Sequence, residues 1–157
     1  MGFGALSVKG RALRYLAQRE HSRAELERKL ARHVEDGPDA SAQTLIAAAL
    51  DDLASKGLLS EARAAESVLL GQGRRYGARR LKQTLQAKGL EPELVAHTLK
   101  QARATELERA QEIWRRRFGQ PPADAAERAR QMRFLAGRGF EADVIRRVVR
   151  GGEDADD

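Results

Sequence analysis

The chain of 157 residues contains no cysteine, so it can form neither a disulfide bond nor a thiolate metal site. Aromatic residues make up only 4% of it, and the alternating apolar and polar runs typical of strands are missing. No stretch approaches the roughly 20 apolar residues of a membrane helix, and the N-terminal residues lack the apolar segment of a signal peptide. We therefore expect an all-α protein of the reducing cytoplasm that makes no contact with a membrane.

Residues suited to catalysis are also scarce. The three histidines, His21, His33 and His97, are isolated from one another, and none has the spacing to a second ligand that a metal site requires. The glycine-rich stretch at 71–77 is not followed by the Lys-Ser or Lys-Thr of a phosphate-binding loop. We expect a binding protein without catalytic residues, bound metal or cofactor, rather than an enzyme.

The most informative pattern in the chain is an internal repeat. Residues 85–100, LQAKGLEPELVAHTLK, recur as residues 135–150, LAGRGFEADVIRRVVR. Gly89 and Gly139 hold the same place in the two copies, where each is expected to end one helix before the next begins. An apolar residue follows each glycine and is expected to pack on the first turn of the next helix. Repetition of helices at this length is typical of stacked helical modules.

A third, degenerate copy lies upstream. Leu26 and Leu30 align with Leu81 and Leu85 at an offset of 55 residues. The polar stretch at 34–42, which contains glycine and proline, predicts a longer connection between two helices of this first copy. We predict an N-terminal segment, three tandem three-helix repeats that form an elongated, curved arm, and an acidic disordered tail, with the bounds 1–7, 8–57, 58–102, 103–151 and 152–157.

The net charge of +6 is unevenly distributed along the chain. Residues 61–152 contain twenty basic and eleven acidic residues, and no acid occurs between Glu66 and Glu91. Such clusters fit a polyanion or an acidic protein face, and the alternative is an ordinary solvated helix surface. The predicted basic surface comprises Arg74, Arg75, Arg79, Arg80, Lys82, Lys88, Arg115, Arg116, Arg117, Arg133 and Arg138.

The helix pair around each repeated glycine has the outline of a helix-turn-helix. A recognition helix places its N-terminal residues in the major groove, close to phosphates. Here those positions hold Glu91 and Glu93 in one copy and Glu141 and Asp143 in the other, which DNA would repel. We therefore expect the basic surface to lie on the first and second helices of each repeat.

The few aromatic residues provide one further motif. Trp114 and Phe118 lie one helical turn apart and are flanked by arginines. We assign the pair to the hydrophobic core, and a platform for stacking nucleotides is the alternative.

Five segments of the chain resemble the RecX family of recombinase regulators. They are RYLAQREHSRAELERKL (14–30), LDDLASKGLLSEARAAES (50–67), GRRYGARRLKQTLQAKGL (73–90), WRRRFG (114–119) and RQMRFLAGRGF (130–140). Together these segments extend over nearly the whole chain, and the last two are the most specific.

This resemblance implies a function that composition and spacing do not. It implies a non-enzymatic regulator that binds RecA protein and the RecA–single-stranded DNA filament, limits filament growth and inhibits the recombinase, ATPase and coprotease activities of RecA. Weak direct DNA binding is implied as well, and we expect a monomer. The alternative is a stand-alone basic helical-repeat protein that binds DNA without a recombinase partner.

Overall fold

The computed structural model describes residues 6–154, and the side chains of residues 6–151. The described residues form nine α-helices and no strand, which confirms the all-α prediction. In chain order the helices are α1 (Val8–Gln18), α2 (Arg23–Ala31), α3 (Ala42–Ser55), α4 (Glu61–Gln72), α5 (Ala78–Ala87), α6 (Pro92–Ala104), α7 (Glu106–Arg117), α8 (Ala125–Gly137) and α9 (Ala142–Asp154). Among the described residues, no helix is long and apolar enough to span a membrane.

Short polar side chains begin several of these helices. Ser22 and Glu25 form a capping box, in which Ser22 Oγ accepts from the Glu25 backbone and the Glu25 carboxylate accepts from the Ser22 backbone. Ser41 and Asp124 each accept a hydrogen bond from the backbone three residues later, and Ser60 does the same. Each of these bonds satisfies a backbone N–H that the first turn of a helix leaves unpaired.

The two repeated glycines end helices α5 and α8 as the sequence predicts. Gly89 has φ 69° and Gly139 has φ 86°, a region that side chains with a Cβ avoid. A Cβ on Gly89 would lie 2.7 Å from Cβ of Ala24, and one on Gly139 would lie 2.6 Å from Cβ of Arg80. Glycine is therefore required at both positions, for the backbone conformation and for close packing.

The residues that align between the first and second copies are buried in equivalent ways. Leu26 and Leu30 on α2, and Leu81 and Leu85 on α5, are all at most 1% exposed. The longer connection predicted around residues 34–42 separates α2 from α3. The apolar pattern that α2 and α5 share therefore corresponds to a buried face on each helix.

The contacts within the chain divide it into two compact units. The first unit contains residues up to 67 together with 87–91, and the second contains 68–86 and the residues from 92 onward. The core of the first unit consists of Ala12, Leu26, Leu30, Ile46, Leu50, Leu53 and Leu59. A hydrophobic cluster in the core of the second consists of Ala110, Trp114, Leu135, Phe140, Val144, Ile145, Val148 and Val149. The bounds of the three repeats stay a prediction.

The first three residues of the predicted acidic tail, 152–154, belong to the end of α9. The backbone of residues 152–154 continues that helix to Asp154, and residues 155–157 lie outside the described residues.

Candidate basic interface

One buried carboxylate, at the first residue of α7, anchors two other helices of the second unit. Glu106 is 2% exposed. Its Oε1 accepts hydrogen bonds from the backbone nitrogens of Ala78, at 3.2 Å, and Glu141, at 3.4 Å. Ala78 begins α5, and Glu141 directly precedes α9. The carboxylate therefore caps the N-termini of both helices, where a negative charge is favourable.

One turn further along α7, Arg109 holds the connection between α4 and α5. Its Nη1 donates to the carbonyl oxygens of Gly73, at 2.5 Å, and Tyr76, at 2.7 Å, and its Nη2 donates to that of Ala102, at 2.8 Å. Burial lowers the pKa of Arg109 from its usual value. The three carbonyl oxygens replace the hydrogen bonds to water that the guanidinium lost on burial. They also fix the position of the connection at 73–77.

The turn between α8 and α9 packs directly on the start of α5. The backbone nitrogen of Gly77 donates to the Arg138 carbonyl at 2.8 Å, and that of Arg79 donates to the Gly139 carbonyl at 3.0 Å. A Cβ on Gly77 would lie 2.5 Å from the Gly139 carbonyl oxygen, so the approach requires glycine. These bonds bring the basic residues of α5 beside those of the α8–α9 turn.

A row of stacked arginines and aromatic rings begins at this contact. The guanidinium carbon of Arg80 lies 4.5 Å from the ring centroid of Tyr76, and that of Arg138 lies 5.7 Å from the same centroid. Arg138 also lies 5.2 Å from the ring of Phe134 on α8. Each distance is within the range of a cation–π interaction.

The row continues to the end of α7. Arg117 lies 5.4 Å from the ring of Phe134 and 5.9 Å from that of Phe118, over which Arg130 also lies at 5.5 Å. The two phenylalanine rings meet edge to face, with centroids 5.4 Å apart. We call this row the arginine-aromatic ladder; in spatial order its members are Arg80, Tyr76, Arg138, Phe134, Arg117, Phe118 and Arg130.

The ladder carries four positive charges and little negative charge. Among the described side chains, the one carboxylate paired with it is that of Glu127, whose Oε2 lies 3.3 Å from Nη1 of Arg130. The neighbouring arginines of α7 differ in this respect. Arg115 and Arg116 share the carboxylate of Glu112, at 3.6 Å and 3.0 Å. An excess of positive charge therefore follows the row of rings.

The other residues of the predicted basic surface fall into two groups. Arg74, Arg75, Arg79, Lys82 and Arg133 are exposed on the second unit. Arg74 also lines a shallow cavity of about 400 Å³ with Arg109, Arg116, Glu108 and Glu112. The remaining residue, Lys88, lies in the first unit.

Lys88 is engaged in a structural ion pair. Its Nζ lies 2.9 Å from Oε1 of Glu25, and its carbonyl accepts a hydrogen bond from Ser22 Oγ at 2.6 Å. Although desolvation by burial opposes it, hydrogen bonding from Arg19 and Lys88 lowers the pKa of Glu25 to about 2. Lys88 therefore stabilises the first unit, and we leave it out of the proposed interface.

The first unit repeats the backbone contacts of the second at the predicted offset of 55 residues. Ser22 corresponds to Gly77; the Ser22 hydroxyl and the Gly77 backbone N–H each donate to the carbonyl of the residue before a repeated glycine. Arg23 corresponds to Ala78, and its backbone nitrogen donates to Oε1 of Glu61, the first residue of α4, at 2.6 Å. In each unit a glutamate at the start of one predicted repeat thus caps the middle helix of the repeat before it.

We call the place where the start of the middle helix meets the turn at a repeated glycine the junction of each unit. The side chains at the junction differ between the two units. In the first unit the cation of Lys88 pairs with Glu25. The corresponding residues of the second unit are Arg138 and Arg80, which are both cations and share the ring of Tyr76. An ion pair in one unit is therefore replaced by two stacked guanidiniums in the other.

Sequence reasoning assigned the aromatic motif only in part. Trp114 is buried at 8% exposure and its Nε1 donates to Oε1 of Gln131 at 2.8 Å, so it belongs to the core as expected. Phe118 packs against that core and also carries two ladder arginines. The spacing of Arg130, Phe134 and Arg138 at four-residue intervals on α8 was the signal that could have identified the ladder.

A second basic feature was missed by the sequence analysis. A cleft of about 590 Å³ between α8 and α9 is lined by Arg128, Met132, Asp143, Arg146, Arg147, Val149 and Arg150. Its arginines on α9 follow helical spacing, which a continuous run of basic residues would not show.

Among the described residues, no group of three metal-binding side chains is placed to hold a metal ion.

Comparison with known proteins agrees with this arrangement of helices. Models of the RecX family match residues 9–38 as the first three-helix domain, 60–99 as the second and 104–149 as the third. The chain belongs to the RecX family. RecX from Leptothrix cholodnii, named "Regulatory protein RecX", is 56% identical over 145 residues, which cover 92% of this chain and 88% of that protein. The protein of the same name from Ralstonia nicotianae is 46% identical over 148 residues, covering 94% and 89%.

Solved structures of RecX proteins share the fold. The crystal structure of RecX from Lactobacillus salivarius superposes with a TM-score of 0.74 at 19% identity, covering 93% of this chain and 94% of that one. A second crystal structure, of a regulatory protein RecX, gives a TM-score of 0.69 at 20% identity over 90% of this chain and 70% of that one. The RecX assignment thus rests on sequence, and the crystal structures support the all-α repeat fold.

Proposed function

We propose that the protein regulates a RecA recombinase by binding RecA and the RecA–single-stranded DNA filament. In this proposal it lies in the filament groove, limits filament growth and lowers the recombinase, ATPase and coprotease activities. Membership of the RecX family supports a regulatory role, because the relatives are named as regulatory proteins. The basic surface of the second unit supports an anionic target.

The observation that carries the proposal is that few carboxylates pair with the cations of this surface. Arg79, Arg80 and Lys82 are exposed on α5, beside the ladder. A group of cations that lacks nearby carboxylates raises the local concentration of a polyanion, and the effect weakens with salt. A nucleoprotein filament presents such a polyanion along its whole length.

A RecA ATPase assay on single-stranded DNA tests the proposal. Titrating the protein up to equimolar with RecA is expected to lower the rate of ATP hydrolysis, because a restrained filament has fewer active subunits. No reduction at any ratio would refute the inhibitory role. The measurement uses the full chain, so it does not depend on isolating either unit.

A charge-reversed variant locates the interface. Arg79→Glu, Arg80→Glu and Lys82→Glu together are expected to weaken filament binding without unfolding the protein, because these side chains are exposed. Three exposed basic residues outside the predicted basic surface, Arg14, Lys100 and Arg103, provide a control with the same change in net charge. Equal loss of binding in both variants would remove α5 from the interface and leave only net charge as the cause.

The alternative function is a stand-alone DNA-binding protein with no recombinase partner. The arginine-aromatic ladder favours it specifically, since a row of arginines with few nearby carboxylates fits the regularly spaced phosphates of a DNA strand. This alternative predicts tight, salt-sensitive DNA binding by the isolated protein. Weak binding alone that becomes strong when RecA coats the DNA supports the first proposal instead.

A further inference from the structure

We propose that the arginine-aromatic ladder is a preorganised binding surface for the phosphates of single-stranded DNA. Its four guanidiniums bind phosphates, and its three rings position the guanidiniums. The inference deepens the proposed function and rests on it for the setting, since it names the DNA strand as the part of the filament that this surface contacts. The binding chemistry itself is testable without RecA.

Stacking determines which part of each arginine remains available. A guanidinium that lies flat over a ring uses its planar face and leaves the N–H groups at its edge available. That edge matches two phosphate oxygens, with which arginine forms paired hydrogen bonds. A guanidinium held in this way loses less side-chain entropy on binding than one on an unrestrained side chain.

The segments that carry the ladder are fixed by contacts unrelated to it. Arg109 holds the connection that contains Tyr76, through the carbonyls of Gly73 and Tyr76. The backbone bond from Gly77 to Arg138 joins that connection to the end of α8. The spacing of the guanidiniums therefore follows from the fold of the second unit.

The arrangement favours a nucleic acid strand over an acidic protein face. The ladder places like charges in a row, separated by rings, and a nucleic acid strand repeats one negative charge per nucleotide. A protein would need several carboxylates spaced in the same way. Because arginines already cover the rings, the bases are not expected to stack there, and binding is expected to be independent of sequence.

A charge-conserving substitution separates this proposal from simple electrostatic attraction. Arg117→Lys combined with Arg138→Lys keeps the net charge and removes the planar forks. Arg14→Lys combined with Arg103→Lys is the matched control, because both arginines are exposed and lie outside the predicted basic surface and the ladder. The probe is fluorescein-labelled oligodeoxythymidylate, with binding followed by fluorescence anisotropy.

The ladder variant is expected to bind about tenfold more weakly than the unaltered protein, and the control within about twofold of it. Phe134→Leu is expected to weaken binding in the same direction, although the charge is unchanged. The slope of log affinity against log salt is expected to be about −3 for the unaltered protein, at about −0.7 for each of four contacted phosphates. Melting temperatures of all variants establish that each is folded.

Two results would overturn the proposal. In the first, the folded Arg117→Lys, Arg138→Lys variant binds the oligonucleotide as tightly as the unaltered protein. In the second, the control variant loses as much DNA affinity as the ladder variant, which would show that the position of an arginine over a ring does not determine the affinity. If the protein fails to inhibit RecA while the ladder variant still loses DNA affinity, the regulatory proposal fails and this inference stands.

Discussion

Removing the carboxylate of Glu106 tests how the second unit holds its basic helices in place. In Glu106→Ala the backbone nitrogens of Ala78 and Glu141 lose their acceptor. Ala78 is 1% exposed, so water cannot easily replace the lost bond there. We expect the N-termini of α5 and α9 to loosen together, because one side chain caps both.

The magnitude follows from the geometry. Loss of an N-terminal cap costs about 0.5–2 kcal/mol. The two bonds of Glu106, at 3.2 Å and 3.4 Å, are long, which places each loss in the lower half of that range. We expect Glu106→Ala to lower the free energy of unfolding by about 2 kcal/mol and the melting temperature by about 4–8 °C. Glu106→Gln keeps an oxygen acceptor and is expected to lose about 0.3–1 kcal/mol, the part due to the negative charge at the two helix N-termini.

Urea denaturation followed by tryptophan fluorescence measures this effect directly. Trp114 is the single tryptophan of the chain and lies in the core of the second unit. Glu108→Ala is the control, because Glu108 is an exposed acid in the same first turn of α7. A Glu106→Ala midpoint equal to that of Glu108→Ala would refute the assignment of Glu106 as a double cap.

Three further predictions concern other contacts. Gly77→Ala is expected to destabilise the second unit by more than about 2 kcal/mol, because the new Cβ would lie 2.5 Å from the Gly139 carbonyl oxygen; a Trp114 denaturation midpoint unchanged from the unaltered protein would contradict it. Lys88→Met is expected to lower stability by about 1–3 kcal/mol, since it leaves Glu25 with one cation fewer, and to leave oligonucleotide affinity unchanged; circular dichroism and anisotropy measure the two effects. Burial lowers the pKa of His21, so the folded protein binds fewer protons there than the unfolded chain, and stability is expected to fall as the pH drops below about 6.5, by up to about 1.4 kcal/mol per pH unit. Below about pH 4.5, protonation of Glu25 is expected to remove further stability; denaturation midpoints at several pH values, with the exposed His33→Gln and His97→Gln as controls, test both steps.

The features that could be predicted from the sequence are those determined by residues close together in the chain. The capping box at Ser22 and the helix ends at Gly89 and Gly139 depend on neighbours within a few residues. Three of the seven ladder members are local in the same sense, because Arg130 and Phe134 on α8 and Arg138 directly after it follow one another at four-residue intervals. Arg117 joins that row only through the packing of α7 against α8, which no local pattern contains.

The contacts that the sequence does not reveal have a common physical origin. Lys88 belongs to a run of basic residues in the sequence, yet its charge is paired with Glu25, 63 residues earlier. The caps that Glu106 provides join residues 28 and 35 positions apart. A count of charges along the chain cannot separate a cation paired by folding from one left exposed, and the role of the basic surface stays a prediction.

The two junctions lead to a last prediction about why one of them is basic. Glu25 in the first unit corresponds to Arg80 in the second, where the partner residues are Lys88 and Arg138. Arg80→Glu therefore gives the second junction the charges of the first, and the new carboxylate is expected to pair with Arg138. Stability is expected to stay within about 1 kcal/mol of the unaltered protein, as for other partly exposed ion pairs.

Arg80→Glu removes one ladder cation and pairs a second, Arg138, with the new carboxylate. Oligonucleotide affinity is therefore expected to fall more than tenfold. The slope of log affinity against log salt is expected to become less steep by about 1.4, the contribution of two phosphates. Arg103→Glu, an exposed arginine of the second unit outside the predicted basic surface, controls for the change in net charge. Loss of stability without loss of DNA affinity would show that the stacked pair at Tyr76 maintains the fold. Loss of affinity in a stable protein would show instead that the second junction exchanged an ion pair for a binding surface.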